Sequence, residues 1–351
     1  MLCSLFTAVL MISAADVPAS EIKSDEEVIF FPTAAALDAD RGVWQVPVHG
    51  VVFEPEIASW RREAALRLLG NWLPENLGEE ERAILDRRVR LLLVDHERNK
   101  SIWIRLGDRA YSAGSSGPDG HFSTTMELPK DTGRPCDWLD FRAITRAGDD
   151  RRFAGRAALL PPEGLSVISD IDDTIKISNV RDRRELMANT FLRPFRPVPG
   201  MADFYKRLAE RGAAFHYVSA SPWLLYPALA EFRAEAGFPE GTFDLKLVRL
   251  TDSSVRDLFG SQVEYKRGKI NAILERFPKR RFVLIGDTGE QDPEVYGALA
   301  RERSKQIVAI YLRNVTDETA RGPRLTAAMK DIPADRWQLF TDPATCVLHG
   351  N

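Results

Sequence analysis

Apolar positions along this chain change their period near the middle. In the first half, short runs rich in β-branched and aromatic residues recur at Val28–Phe31, Val43–Phe53, Arg90–Asp95, Ser101–Leu106, Phe122–Leu128 and Phe141–Thr145. Gly, Asp and Pro punctuate them, a pattern that predicts strands joined by turns. GSSGPDGHFSTTMEL, Gly114 to Leu128, reads as a glycine-rich turn feeding an alternating strand. Helical spacing interrupts the series near Ile57–Leu69 and Glu79–Arg88. The region 28–160 is therefore expected to be a β-rich accessory domain, an antiparallel β-sandwich.

From Pro161-Pro162, a natural boundary, strands and helices alternate. Strands are expected at the short apolar run with Val167 and Ile168 that leads into Asp170, and at Ala213–Val218, Asp244–Leu250, Phe282–Ile285 and Ile307–Leu312. Helices are expected at Met201–Arg211, Leu224–Ala236, Lys266–Phe277 and Glu294–Glu302. Such alternation is the signature of an α/β domain with a doubly wound, mostly parallel sheet, here assigned to residues 161–351. Arg181–Pro199 is basic and proline-punctuated, too short for a large lid, so access to a site at the strand ends is expected to be open.

The candidate chemistry lies at those strand ends. The apolar run before Asp170 leads directly into Asp170, Asp172, Asp173 and Thr174. Carboxylates beside buried backbone cost several kcal/mol unless a metal or hydrogen bonds compensate, on the order of the penalty for any buried ion. Ligands in open α/β sheets gather at the carboxyl ends of strands. Ser219 follows the second strand, where its hydroxyl can meet a phosphate oxygen or cap the next helix. Gly286 and Asp287 follow the fourth strand, and Asp292-Pro293 also reads as an ordinary helix start.

The string DIDDTIKISNV, with Asp170-x-Asp172-x-Thr174 at its head, resembles the first motif of the haloacid-dehalogenase-like phosphatases. Together with YVSASPW (Tyr217–Trp223) and VLIGDTGEQDPEVYG (Val283–Gly297), it resembles the Mg-dependent phosphatidate phosphatases of the yeast actin-patch type and their bacterial relatives. Lipins share the chemistry. The resemblance covers roughly Gly164 to Val315. It implies a haloacid-dehalogenase-like, Rossmann-like domain with strand order 3-2-1-4-5, and Mg2+ as cofactor. Asp170 would be nucleophile and metal ligand, Asp172 acid/base and a metal ligand through its carbonyl, and Asp287 the third ligand. Ser219 and Lys266 would bind phosphate, with Lys269 in reserve for Lys266; Thr174 and Asp292 would stand behind them. The implied reaction is hydrolysis of phosphatidate to diacylglycerol and phosphate through an aspartyl-phosphate. A phosphatase for another phosphomonoester and a non-catalytic lipid-binding module on the same fold are the alternatives.

Other readings weaken against the residues. An EF-hand loop begun at Asp170 would need Gly at 175 and Glu at 181, where Ile175 and Arg181 stand. No P-loop, HExxH or G-x-S-x-G occurs, and His216 falls inside a strand.

Composition adds limits. Charged residues make up 28% and hydrophobic residues 44%, as in an ordinary globular protein. A net charge of -3 argues against a nucleic-acid partner. Cys3, Cys136 and Cys346 are too scattered for a disulfide framework or zinc cluster. Residues 1–15 carry an apolar core followed by Ser13, Ala14 and Ala15, a possible signal peptide without a basic n-region; residues 16–27 read as a linker. Export to the periplasm or beyond follows if that signal is used, and a cytoplasmic place with peripheral membrane contact if it is not. Arg61, Arg62, Arg67, Arg82, Arg87 and Arg88 lie near apolar helix positions, where they suit either an anionic lipid surface or a solvated helix face balanced by glutamates.

Overall fold

A computed structural model describes residues 18–55, 74, 76–247 and 262–348. It divides into two compact units with boundaries after positions 57, 93 and 161. The expected leader at 1–15 and the expected helix near Ile57–Leu69 lie largely or wholly outside the described residues. No described helix is long and apolar enough to cross a membrane.

The first unit holds β1 (Glu27–Phe31), β2 (Thr33–Asp38), β3 (Val43–Glu54), β4 (Asp95–His96), β5 (Ser101–Leu106), β6 (Arg109–Ser115), β7 (His121–Pro129), β8 (Trp138–Ala143) and β9 (Ala154–Leu160). A sandwich of separate sheets is expected from the sequence; instead the nine strands form one mixed sheet, bent as a half-barrel. Its main path is β1-β3-β2-β9-β8-β5-β6. The long strand β3 makes this possible, pairing with β2 and β1 along one edge and with β7 and β4 along the other. Among the described strands of this unit only β2 and β9 pair in parallel. Alternate residues point inward, so Ile102, Ile104 and Leu106 of β5 join Trp44, Val46, Val48, Phe122 and Phe141 in one core.

In the second unit, β10 (Leu165–Ser169), β11 (Ala214–Pro222), β12 (Gly241–Lys246), β13 (Arg281–Asp287), β14 (Ile307–Arg313) and β15 (Trp337–Phe340) form a parallel sheet. Its order is β12-β11-β10-β13-β14-β15, so the first five strands stand 3-2-1-4-5, with a sixth added at the edge. Every residue of β10, and all of β13 after Arg281, is buried. Burial on both faces explains the near-continuous apolar runs.

Two helices differ from expectation. Of Arg90–Asp95, expected as a strand, the residues to Leu93 end the helix Glu79–Leu93 of the second unit, and Asp95 begins β4. Arg88, considered above as a membrane-facing cation, points inward: its guanidinium lies 3.7 Å from the Phe195 ring centroid and donates to the Thr190 carbonyl at 2.7 Å. Burial pulls its pKa down to about 10. The carbonyl it caps ends a helix not foreseen, Arg183–Phe191, where a cation complements the helix dipole.

His216, in β11, is buried, with Nδ1 2.9 Å from Thr242 Oγ1 and Nε2 unpaired among the described residues. Burial first, then Arg280 and Arg276, lowers its pKa from 6.5 to about 3. Between these values the unfolded chain takes up a proton that the fold refuses. The contribution is thus present above pH 6.5 and lost as pH falls. We expect His216 to cost the wild type about 2 kcal/mol of stability between pH 8 and pH 5. Denaturant unfolding at both pH values checks this, since His216→Asn should lose that part of the slope.

Candidate active site

The parallel sheet gathers its chemistry at the carboxyl ends of its three central strands. Asp170 follows β10 directly, and its N–H still bonds the Ile285 carbonyl of β13 at 2.9 Å. Asp287 is the last residue of β13. Both are buried, and one carboxylate oxygen from each lies with one of Glu290 in a group whose members are all within 4.8 Å of one another. Lys266, from the helix Gln262–Arg276, reaches into the same place. Its Nζ lies 2.8 Å from Asp170 Oδ1, 2.7 Å from Glu290 Oε2 and 2.8 Å from Asp292 Oδ1. Lys269 instead pairs with Asp244 at 3.3 Å, on the strand β12.

Charge is unbalanced here. Four carboxylates, Asp170, Asp287, Glu290 and Asp292, share one lysine in a buried pocket. Burial first, and then the crowd of neighbouring carboxylates, pushes Asp170 and Asp287 well above the ordinary carboxylate range, against the pull of Lys266. Glu290 moves up for the same reasons. Burial works against the Lys266 charge, yet Asp170, Asp292 and Glu290 overcome it and keep the ammonium protonated. Among the described residues Asp287 Oδ2 has no hydrogen-bond partner, and Asp170 Oδ1 meets Lys266 without a well-directed hydrogen bond. Three hard oxygens, surplus negative charge and unmet lone pairs fit a small divalent cation such as Mg2+.

The remaining residues brace this group. Thr174 Oγ1 donates to Asp170 Oδ2 at 3.0 Å. Asp292 accepts the Asp287 N–H at 3.3 Å while holding Lys266. Gly286 must lack a side chain, because a Cβ there would lie 2.3 Å from Asp292 Oδ2. Asp173, at φ +53°, turns the chain and accepts the N–H groups of Ser178, Asn179 and Val180 at 2.7–2.9 Å.

Asp172 faces a second cluster. Lys176 Nζ is 2.7 Å from its Oδ1, and Ser178 Oγ donates to the same atom at 2.6 Å. Ser219 Oγ and Ser221 Oγ donate to Oδ2 at 3.2 and 2.7 Å. Burial would raise its pKa, but Lys176 and the hydroxyls override it and hold the carboxyl well below the usual range. Ser219 is therefore not a helix cap; it sits at an irregularity in β11 with its Oγ accepting the Ser221 N–H.

Asp170, Asp172, Thr174, Ser219, Lys266, Asp287 and Asp292, the site residues expected from the sequence, lie in this one region, whereas Lys269, in reserve for Lys266, pairs with Asp244. Sequence reasoning missed Glu290, Lys176, Ser178 and Ser221. Glu290 was legible as the acid three residues past Asp287 in GDTGE. Lys176 carried no signal beyond its place in the first motif.

Beside Asp172, Ser219 and Glu290 opens an apolar pocket of about 60 Å³ walled by Val180, Leu186, Met187, Phe191 and Pro222. The helix Arg183–Phe191 supplies most of that wall. Val180, Leu186 and Glu290 also border a wider polar cleft of about 850 Å³, rimmed by Arg181, Arg183 and Arg324.

The order of motifs along these strands has a counterpart among known proteins. Residues 165–314 match the family model of the phosphatidate phosphatase APP1 catalytic domain. That segment carries β10 to β14 and every carboxylate described above. Phosphatidate phosphatase APP1 of Saccharomyces cerevisiae is 37% identical over 161 residues, covering 45% of this chain and 27% of the yeast protein. An uncharacterized protein of Schizosaccharomyces pombe is 29% identical over 171 residues, covering 48% of this chain and 28% of its own length. The chain thus matches only about a quarter of these curated relatives' length. The half-barrel unit lies outside the span matched by the APP1 catalytic-domain model.

Proposed function

We propose that the second unit is a Mg2+-dependent phosphatidate phosphatase of haloacid-dehalogenase-like type, releasing diacylglycerol and inorganic phosphate through an aspartyl-phosphate. The observation that carries this reading is the meeting of Asp170, Asp287 and Glu290 oxygens, with Lys266 bound to Asp170 and Glu290 and with Asp172 held beside an apolar pocket. The match to the phosphatidate phosphatase APP1 catalytic domain supports the substrate.

Asp170, Asp287 and Glu290 would hold Mg2+ together with the Asp172 carbonyl. When bound, the ion would neutralise the carboxylates and draw the substrate's phosphate toward them. Asp170 attacks phosphorus; its O–P bond forms as the bond from phosphorus to the glycerol oxygen breaks. Lys266 and the Ser219 hydroxyl stabilise the equatorial oxygens in that in-line transfer. Asp172 delivers a proton to the departing alkoxide. The protein alone favours the Asp172 anion, but a phosphate dianion arriving beside it raises its proton affinity. A water then attacks the aspartyl-phosphate, giving its proton to Asp172, and phosphate leaves. The apolar wall of Leu186, Met187 and Phe191 excludes water from the leaving-group side and suits the first carbons of a lipid. The membrane would hold the rest, consistent with peripheral contact.

Phosphate release from phosphatidate micelles should stop in EDTA and return with millimolar Mg2+. Asp287→Asn should raise the Mg2+ needed for half-activity by about tenfold or more. Equal release in EDTA and Mg2+ would exclude this metal-dependent mechanism.

A further inference from the structure

A different surface, on the half-barrel unit, carries charge that its own fold does not balance. Strands β5 and β8 pair antiparallel, and their register sets Arg105 directly opposite Arg142. Both side chains point away from the core, since their neighbours Ile104, Leu106, Phe141 and Ala143 fill it. Like charges directly opposite one another destabilise a sheet. The neighbouring pair of strands shows the usual remedy, with Asp140 of β8 opposite Arg156 of β9 and bonded to it at 3.1 Å. Among the described residues, Arg105 and Arg142 have no such partner.

The same two arginines line a cleft of about 390 Å³ closed by the turn 144–152, which adds Arg151 and Arg152. Arg151 is fixed in place. It bonds Asp149 at 2.6 Å and donates to the carbonyls of Glu26 and Lys23 at 2.5 and 2.7 Å. Asp149 is thereby committed to Arg151, and Asp150 is the other acid in the lining. Four arginines against two aspartates leave the cleft at +2. No acid lies within ion-pair distance of Arg105, Arg142 or Arg152 among the described residues.

We propose that this cleft is an anion site, in which a phosphate group, free or on a lipid headgroup, bridges Arg105 and Arg142. Arginine is suited to this because its planar fork matches phosphate oxygens two at a time. A bound dianion turns the repulsive rung into a compensated one. The site is separate from the carboxylate pocket and does not depend on the reaction proposed for it.

The experiment melts the full chain in phosphate and in sodium chloride of equal ionic strength, comparing wild type with Arg105→Gln/Arg142→Gln. In chloride the double variant should melt higher than wild type by about 2 °C, because the repulsion is gone. Phosphate at ten times its dissociation constant should raise the wild-type midpoint by about 5 °C, and the variant should lose most of that rise. Phosphate held only in the carboxylate pocket would stabilise both proteins equally, and that result overturns the proposal. Wild type without any phosphate response overturns it too. Co-sedimentation with phosphatidylcholine vesicles, with and without phosphatidate, separates the sources. Phosphatidate-dependent binding lost in the double variant assigns the site to a headgroup. Vesicle binding unchanged while the phosphate response is lost assigns it to free phosphate. Hydrolysis of a soluble phosphomonoester should be the same in both proteins, since neither arginine belongs to the carboxylate site.

Discussion

Asp170→Asn should lower phosphate release by a factor on the order of 10^4 or more while the protein stays folded. Under the proposed reaction Asp170 forms the bond to phosphorus, and an amide is a far poorer nucleophile than a carboxylate. The fold should tolerate the change because the pocket already holds too much negative charge. Burial and three neighbouring carboxylates push Asp170 toward protonation, so a neutral isostere removes repulsion as it removes the reaction. Thr174 can still bond the amide oxygen. Paired assays of phosphate release and thermal melting check both halves. A variant that keeps even a tenth of wild-type activity would remove Asp170 from the nucleophile's place.

Lys266→Met should be the most damaging single change to stability, and one that metal repairs. Its ammonium is the partner of Asp170, Glu290 and Asp292. Removing one member of a buried charge network costs about 3–5 kcal/mol, because the others are left buried and unpaired. A divalent cation at Asp170, Asp287 and Glu290 would replace part of the lost charge. Denaturant unfolding in EDTA should therefore show the full loss, and in millimolar Mg2+ a clearly smaller one. Activity should fall in both, since the lysine also faces the phosphoryl oxygens in the proposed reaction. Equal stability of variant and wild type in EDTA would contradict this view of the pocket.

Much of the second unit is legible because its strands are buried on both faces. LSVIS and RFVLIGD allow little besides a central strand, and the polar residues that follow them stand out. Ser101–Leu106 is read to the residue, because strict in-and-out alternation leaves no ambiguity. The alanine-rich strands β2 (TAAALD) and β9 (AGRAALL) escape notice, since alanine favours helices and only pairing in the sheet overrides it. The apolar run within Arg90–Asp95 suits strand and helix equally, and continuity with the preceding helix decides it. The helix Arg183–Phe191 is hidden by its weakly amphipathic sequence. Its start was nevertheless written in Asp182-x-x-Glu185, where Asp182 accepts the N–H groups of Arg184 and Glu185. Reading that cap would have placed a helix over the residues that include Met187 and Phe191. Lys176 depends on loop geometry that no periodicity reports.

Hydrolysis of a lipid phosphomonoester in the carboxylate pocket is put to the test by a single comparison. Phosphate release is measured with Mg2+ from phosphatidate in detergent micelles and from glycerol 3-phosphate, using wild type and the Asp170→Asn and Asp172→Asn variants. Release from phosphatidate should be at least about tenfold more efficient than from the soluble ester and should be lost in both variants. Release from glycerol 3-phosphate alone would contradict the lipid substrate and the apolar leaving-group wall. Release that survives in both variants would contradict the site itself.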